Sequence, residues 1–186
     1  MHGDAAVLAP RTSWDAAPEA DAIVSLRPGP PVGVVTADCV PILVAAGEAV
    51  AAVHAGWRGL ARGVIGRALE LLARHCRGAR PIAVIGPHIG RCCYEVDAPV
   101  IDALGLRFVA DLDDALTPSR AGHHRLDLGM LVRRELERAG LDASGIGRVG
   151  GCTFCDAEHF HSYRRDGPRA GRLLHFVAPQ PPPESS

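Results

Sequence analysis

No lysine occurs in the 186 residues: all 20 basic side chains are arginine. Any grip on an anion must therefore come from guanidinium groups, whose planar fork holds phosphate through paired hydrogen bonds. With abundant alanine, glycine and proline, this skew reads as a GC-rich bacterial coding bias, a fact about the genome more than about mechanism. Excess charge of either sign is missing as well. The formal net charge is −1, so the overall balance calls for neither nucleic acid nor an anionic membrane. No apolar run approaches the ~18 residues of a membrane span, and no basic–apolar–small leader is visible. The expectation is a cytoplasmic chain.

What is present suffices for a single core, with a hydrophobic fraction of 47% over a length typical of one domain. Six cysteines (Cys39, Cys76, Cys92, Cys93, Cys152, Cys155) fall in a sequence otherwise typical of reducing compartments. There, thiols bind metal or catalyse more often than they pair. Residues 1–20 read as loop. Short β-like runs follow at Ala22–Leu26, Val32–Val35, Val40–Ala45 and Ala49–Val53, the last two forming a hairpin around Gly47. After Gly56 the period changes, and Leu60, Val64, Ala68, Leu71 and Leu72 share one face of an amphipathic helix. Pro81–Ile85 is a further strand, running into a loop rich in Gly and Cys. Leu126–Ala139 reads as a second helix, with Leu128, Leu131, Val132 and Leu136 on one face and Gly140 ending it. Leu173–Val177 closes the pattern, and the Pro/Ser-rich residues 179–186 read as a disordered tail. Strands outnumber helices, and neither a βαβ rhythm nor an internal repeat is seen. The expected fold class is α+β: one layered domain over residues 1–178, with mixed, largely antiparallel sheets flanked by helices.

The hairpin carries the first chemical signal. A two-residue turn at Ala46-Gly47 sets Cys39 directly opposite His54 on one sheet face, with Cβ atoms roughly 4.5–5.5 Å apart. One metal ion can bridge that span, with Zn–S about 2.3 Å and Zn–N about 2.0 Å. Pro41, inside the first strand, calls for an edge or a bulge there. Each residue also has a plainer reading, Cys39 as a small buried side chain and His54 as a hydrogen-bonder beside a turn. Two ligands do not make a site.

Longer words in the sequence decide more. Thr36-Ala37-Asp38-Cys39-Val40-Pro41-Ile42-Leu43, followed by Ala52-Val53-His54-Ala55-Gly56-Trp57-Arg58-Gly59, resembles the two signature segments of the multicopper polyphenol oxidase (laccase) domain family. That family is also called the purine nucleoside phosphorylase or peptidoglycan editing factor family. Further matches follow in family order: Ala20-Asp21-Ala22, Ile85 to Gly90 with Cys92-Cys93-Tyr94-Glu95-Val96, Leu126-Asp127-Leu128, Cys152-Thr153, and Phe160 to Gly167. The resemblance implies the laccase-domain fold and a zinc triad of His2, Cys39 and His54. Met1-His2-Gly3 stands where the family has Val-His-Gly, and the family's preceding N-terminal segment is expected to be missing.

The implied activity is phosphorolysis of purine nucleosides (inosine, guanosine, adenosine, methylthioadenosine) together with adenosine deamination. Its substrates are a purine nucleoside and inorganic phosphate. Two imidazoles and one thiolate leave a fourth zinc position open, the pattern of a catalytic site, and such a zinc acidifies bound water toward neutral pH. Cys39, His54 and Asp38 are the expected catalytic residues. Asp38 reads either as an acceptor orienting a ligand imidazole or as a turn cap. Arg58, Arg164 and Arg165 lie in matched motifs and are candidates for holding phosphate. The loop of His88, Cys92 and Cys93 is expected to line the cleft.

Three other readings stand beside this one. A copper-dependent polyphenol oxidase would use two histidines, a cysteine and an axial methionine, yet the chain has only Met1 and Met130 and the single His-x-His pair His159/His161. A structural zinc module would draw on Cys152 and Cys155 with Cys92-Cys93, although adjacent cysteines seldom share one tetrahedral ion comfortably. A hydrolase editing peptidoglycan precursors would use Cys39 as nucleophile beside His54.

Overall fold

A computed structural model describes residues 3–10, 19–76 and 78–180. Strands are β1 (Ala6–Leu8), β2 (Ala22–Leu26), β3 (Val32–Thr36), β4 (Val40–Ala46), β5 (Ala49–Ala55), β6 (Ile82–Ile85), β7 (Glu95–Val96), β8 (Leu116–Pro118), β9 (His124–Leu126), β10 (Ile146–Arg148) and β11 (Leu173–Val177). Helices are α1 (Trp57–Arg62), α2 (Val64–Ala73), α3 (Ala98–Gly105), α4 (Leu112–Ala115), α5 (Leu128–Arg138) and α6 (Tyr163–Asp166). The central sheet has six strands in the order β1-β2-β5-β4-β6-β10, with a two-stranded β11-β3 sheet and a three-stranded β7-β9-β8 sheet beside it. β1 with β2 and β10 with β6 are parallel, and the remaining strand pairs are antiparallel. This is the mixed, largely antiparallel layering expected from the sequence.

The β4–β5 hairpin forms, but its turn is Gly47-Glu48, one residue later than expected: Ala46 pairs with Ala49, and Pro41 rather than Cys39 faces His54. Gly47 takes φ 55°, the positive value a two-residue loop asks for and an alanine resists. Moving the turn by one residue moves each partner by two. Because side chains alternate with period two, position 39 keeps to the side that His54 faces.

Pro41 needs neither edge nor bulge. The His54 N–H donates to the Asp21 carbonyl on the β2 side at 2.7 Å, so His54 spends its backbone groups away from β4. Pro41 consequently turns its own toward β6, where its carbonyl accepts from Gly86 N–H at 2.9 Å. The β6 ladder begins only at Ile42, so the missing proline N–H interrupts nothing.

Layering follows from β5, whose AVAAVHA run presents small apolar residues to both faces. One face packs Ile42, Val44, Ala51 and Val53 under the helical residues Leu60, Val64, Leu72, Leu131 and Leu136. The other packs Val50 and Ala52 against Val32 and Val34 of the β3–β11 ribbon. The helix read from Leu60 to Leu72 is two helices, because Gly63 adopts φ 85° between them. Leu60, Val64, Ala68 and Leu72 are nevertheless all buried. The second helix starts at Leu128, since the Asp127 side chain caps it by accepting from Met130 N–H at 2.9 Å, while Leu126 ends β9. β1 lies in a stretch read as loop, its three residues too few to display a period. Among the described residues, no helix is long and apolar enough to cross a membrane.

Candidate active site

The β2–β5 ladder, carried one step past Ala22↔Val53, brings Asp21 beside His54. His54 Nδ1 lies 3.1 Å from Asp21 Oδ1, and both side chains are largely buried. The carboxylate fixes the ring's orientation and, being an acceptor, favours a proton on Nδ1, which leaves Nε2 as the atom for a ligand. This carboxylate–imidazole arrangement is the usual support of a metal-ligating histidine. Asp21's other oxygen accepts from the Gly3 amide.

Asp38 does a different job. Its Oδ1 accepts from Thr153 Oγ1 and its Oδ2 from the Arg164 N–H, both at 2.6 Å. The carboxylate that turns the imidazole is therefore Asp21, and Asp38 ties the Thr153 loop and the first turn of α6 to the start of β4. Asp38 holds φ 90°, a left-handed conformation that a short polar side chain tolerates when its own hydrogen bonds fix it. The sequence signal for Asp21 was its place one residue before β2. Only the β2–β5 pairing turns that place into contact with His54.

Cys39 shares a cavity of about 380 Å³ with His54, Trp57, Arg58, Tyr94 and Arg164, within the size range of small-molecule sites. Burial, with Asp38 and Asp21 adding to it, pushes the Cys39 thiol up to about 12. That is the reverse of an activated nucleophile. A negative field around a buried sulfur suits a cation, so the donor set fits a metal. His2 lies outside the described residues. A wider hollow of about 830 Å³ adjoins this cavity at Val35, His54 and Arg172.

The arginines divide. Arg58 stacks over Trp57 at 4.1 Å, and Arg164 lies over the Tyr94 ring at 5.2 Å. Both line the cavity, and so does Arg172, which the sequence reading did not single out. Arg165 is turned elsewhere: its guanidinium donates to the carbonyls of Thr153, Phe154 and Phe160 at 2.7–3.0 Å and to Asp166. It braces a loop and is not among the cavity residues.

The loop after β6 contributes Ile89 and Tyr94 to the cavity, not His88 or the cysteines. His88 is 1% exposed, its Nδ1 bonded to the Gly86 carbonyl at 2.8 Å and its ring against Gly129. Burial lowers its pKa. It is a neutral core histidine. Cys92, Cys93, Cys152 and Cys155 gather outside the cavity. Another hollow, of about 570 Å³ beside α2 and α5, is lined by Arg107, Glu135 and Arg138, whose charges are spent on Arg107–Glu135 and Arg138–Asp111 pairs.

The sequence profile of the multi-copper polyphenol oxidoreductase laccase family matches residues 1–180. A purine nucleoside phosphorylase of Xylella fastidiosa is 41% identical over 158 residues, covering 84% of this chain and 59% of that protein. The chain thus spans 59% of the length of this curated relative. The crystal structure of YlmD from Geobacillus stearothermophilus superposes with a TM-score of 0.85 at 31% identity, over 97% of this chain and 71% of that one. That of a Bacillus licheniformis hypothetical protein, YfiH, gives 0.84 at 30%, over 97% and 72%.

Proposed function

Because the chain belongs to the multi-copper polyphenol oxidoreductase laccase family, we propose that its cavity carries out zinc-dependent phosphorolysis of purine nucleosides, with deamination of adenosine at the same site. Relatives named purine nucleoside phosphorylase support the substrate class. The reading is of a cytoplasmic enzyme whose substrates are a purine nucleoside and inorganic phosphate. The observation that carries it is one cavity lined by a carboxylate-braced imidazole, a thiol in a negative field and three arginines, Arg58, Arg164 and Arg172.

Cys39 and His54 would hold the metal. Gly3, next in the chain to His2, is anchored on the same Asp21 that braces His54, which supports His2 as the third ligand. Zinc, when bound, supplies Lewis acidity to the purine side of the reaction. The chain's own residues do the rest. Guanidinium groups hold phosphate in two-pronged fashion and present one oxygen to C1′ of the nucleoside. That oxygen forms the new C1′–O bond as the C1′–N9 bond breaks, and the purine leaves with the electron pair and takes up a proton. Burial raises the Tyr94 pKa above its ordinary value, keeping a phenolic O–H donor at the cavity wall. Positioning two reactants in this way supplies much of the rate gain of a bimolecular reaction.

Among the described cavity residues His54 is the one imidazole, and no methionine is present. The whole sequence offers two methionines, Met1 and Met130, and a single His-x-His pair, His159/His161, which suits a single-ion site better than a copper relay. The test is phosphate-dependent release of hypoxanthine from inosine, run beside conversion of adenosine to inosine, on zinc-loaded protein. Cys39→Ala should abolish both while leaving the far-UV circular dichroism unchanged. Full turnover by that variant, or by metal-free protein, would sink the reading.

A further inference from the structure

Four thiols that the cavity does not use converge on one point. Cys92 and Cys93 lie in the loop after β6, Cys152 and Cys155 in the loop after β10. All four sulfurs are within 4.8 Å of one another. Cys93 Sγ is 3.2 Å and Cys92 Sγ 3.6 Å from Cys155 Sγ. A tetrahedral zinc with Zn–S about 2.3 Å sets its sulfurs about 3.8 Å apart, inside the observed spread. We propose that Cys92, Cys93, Cys152 and Cys155 form a tetrathiolate zinc site, separate from the cavity of Cys39 and His54, that staples these two loops together.

The sequence objection was that neighbouring cysteines rarely share an ion. It applies to extended backbone, where successive side chains point to opposite faces. Residues 91–93 form a turn instead, closed by the Cys93 and Tyr94 N–H groups donating to the Gly90 carbonyl, each at 2.9 Å, and both sulfurs reach the same side. The Cys152–Cys155 pair sits in a similar turn, where Asp156 N–H donates to the Cys152 carbonyl at 3.1 Å. Gly90 N–H points at Cys152 Sγ at 3.2 Å, a hydrogen bond that stabilises a thiolate more than a thiol. A Cβ at Gly90 would lie 3.3 Å from both Cys92 Sγ and Cys152 Cβ, so a side chain there would press on both thiol-bearing turns. Cys92 and Cys155 are exposed, leaving an entry path for the ion. Binding replaces thiol protons, which leave to solvent.

The purpose follows from what the loops carry. The first delivers Ile89 and Tyr94 to the cavity, the second leads to Tyr163 and Arg164. They are already joined by a bridge between His88 and Cys152 and by Asp38, whose carbonyl accepts from Ile89 N–H at 3.0 Å while its carboxylate holds Thr153 and Arg164. A metal at the thiols locks the cavity wall from its outer side.

Metal analysis and Co²⁺ substitution of the full chain, purified under reductant, test this without reading nucleoside turnover. In a Cys39→Ala background the chain should keep one equivalent of metal. Co²⁺ exchanged into it should give the intense sulfur-to-metal charge-transfer bands of a tetrathiolate. C92S/C155S in that background should lose the equivalent and the bands, and Cys76→Ser should keep both. Bands that persist in the double variant, or their absence from Cys39→Ala, overturn the proposal. If the double variant does not fold, alkylation of the unmutated chain decides. Zn²⁺ should shield Cys92 and Cys155 from iodoacetamide and a chelator should restore labelling. Equal labelling with and without Zn²⁺, or a disulfide joining the loops in place of metal, overturns it.

Discussion

Asp21 and Asp38 flank the same cysteine electrostatically but differ in what their oxygens hold. Asp21→Asn keeps the shape and weakens the acceptor for His54 Nδ1, so zinc affinity should fall about 10–100-fold with the unfolding midpoint little changed. A competition titration with a chelator measures this, and an unaltered affinity would deny Asp21 its bracing role. The arginines give a second contrast. Arg165→Ala strips the carbonyls of Thr153, Phe154 and Phe160 of their donor and should cost about 1.5–3 kcal/mol of stability. It should leave the KM for phosphate near its original value. Arg58→Ala or Arg164→Ala should do the opposite, raising that KM with little loss in denaturant midpoint. A phosphate KM that responds to Arg165 alone would reverse the assignment. At this scale the sequence located Cys39, His54, Arg58 and Arg164 on the cavity. Asp38 lines the cavity too but spends its carboxylate on Thr153 and Arg164 rather than on His54, and Arg165 turns to the carbonyls of Thr153, Phe154 and Phe160, because neighbours in a motif can point to different places once the chain bends.

Strands and helices were legible where their period was long enough to see. β2 and β11 begin and end where the apolar runs do, and the β4–β5 hairpin and the buried face of α2 follow the pattern. The turn shifted by one residue because glycine, not alanine, accepts the positive φ. Shorter elements left no such trace, and β7, β9 and α4 run to four residues or fewer. One helix position is open to direct test. A Cβ at Gly129 in α5 would stand 2.4 Å from His88 Nε2, and that ring is boxed into the core. Gly129→Ala should therefore destabilise by about 1–3 kcal/mol, although alanine is the better helix former by about 1 kcal/mol. Urea denaturation should show it, and a stabilised variant would mean that the ring moves freely.

At the scale of the whole molecule, the layering desolvates His88 and His175. Burial lowers the pKa of His88 on the helical side and of His175 on β11. A folded pKa below the unfolded one means that the unfolded chain binds more protons. Stability should thus hold above the ordinary histidine pKa of about 6.5 and fall as pH drops below it, by at most about 1.4 kcal/mol per pH unit for each group. The arginine, serine and histidine partners that keep Glu95, Asp142, Asp156 and Asp166 below the usual carboxylate range act in a different window, below about pH 4. Thermal midpoints at pH 7.5 and 5.5 should differ in favour of the higher pH, and His175→Gln should shrink the difference. A flat profile between those values would contradict it.

The sequence by itself determined the family, the hairpin, the main helical faces and the side chains able to bind metal or phosphate, because periodicity, turn chemistry and motif order are local properties of a chain. Only tertiary structure decided which carboxylate serves His54, which arginine faces the cavity, that His88 is core, and that Cys93 and Cys155, 62 residues apart, meet. Those outcomes depend on which strands pair and which loops collide as the apolar faces are buried, and that choice is made by the whole core at once.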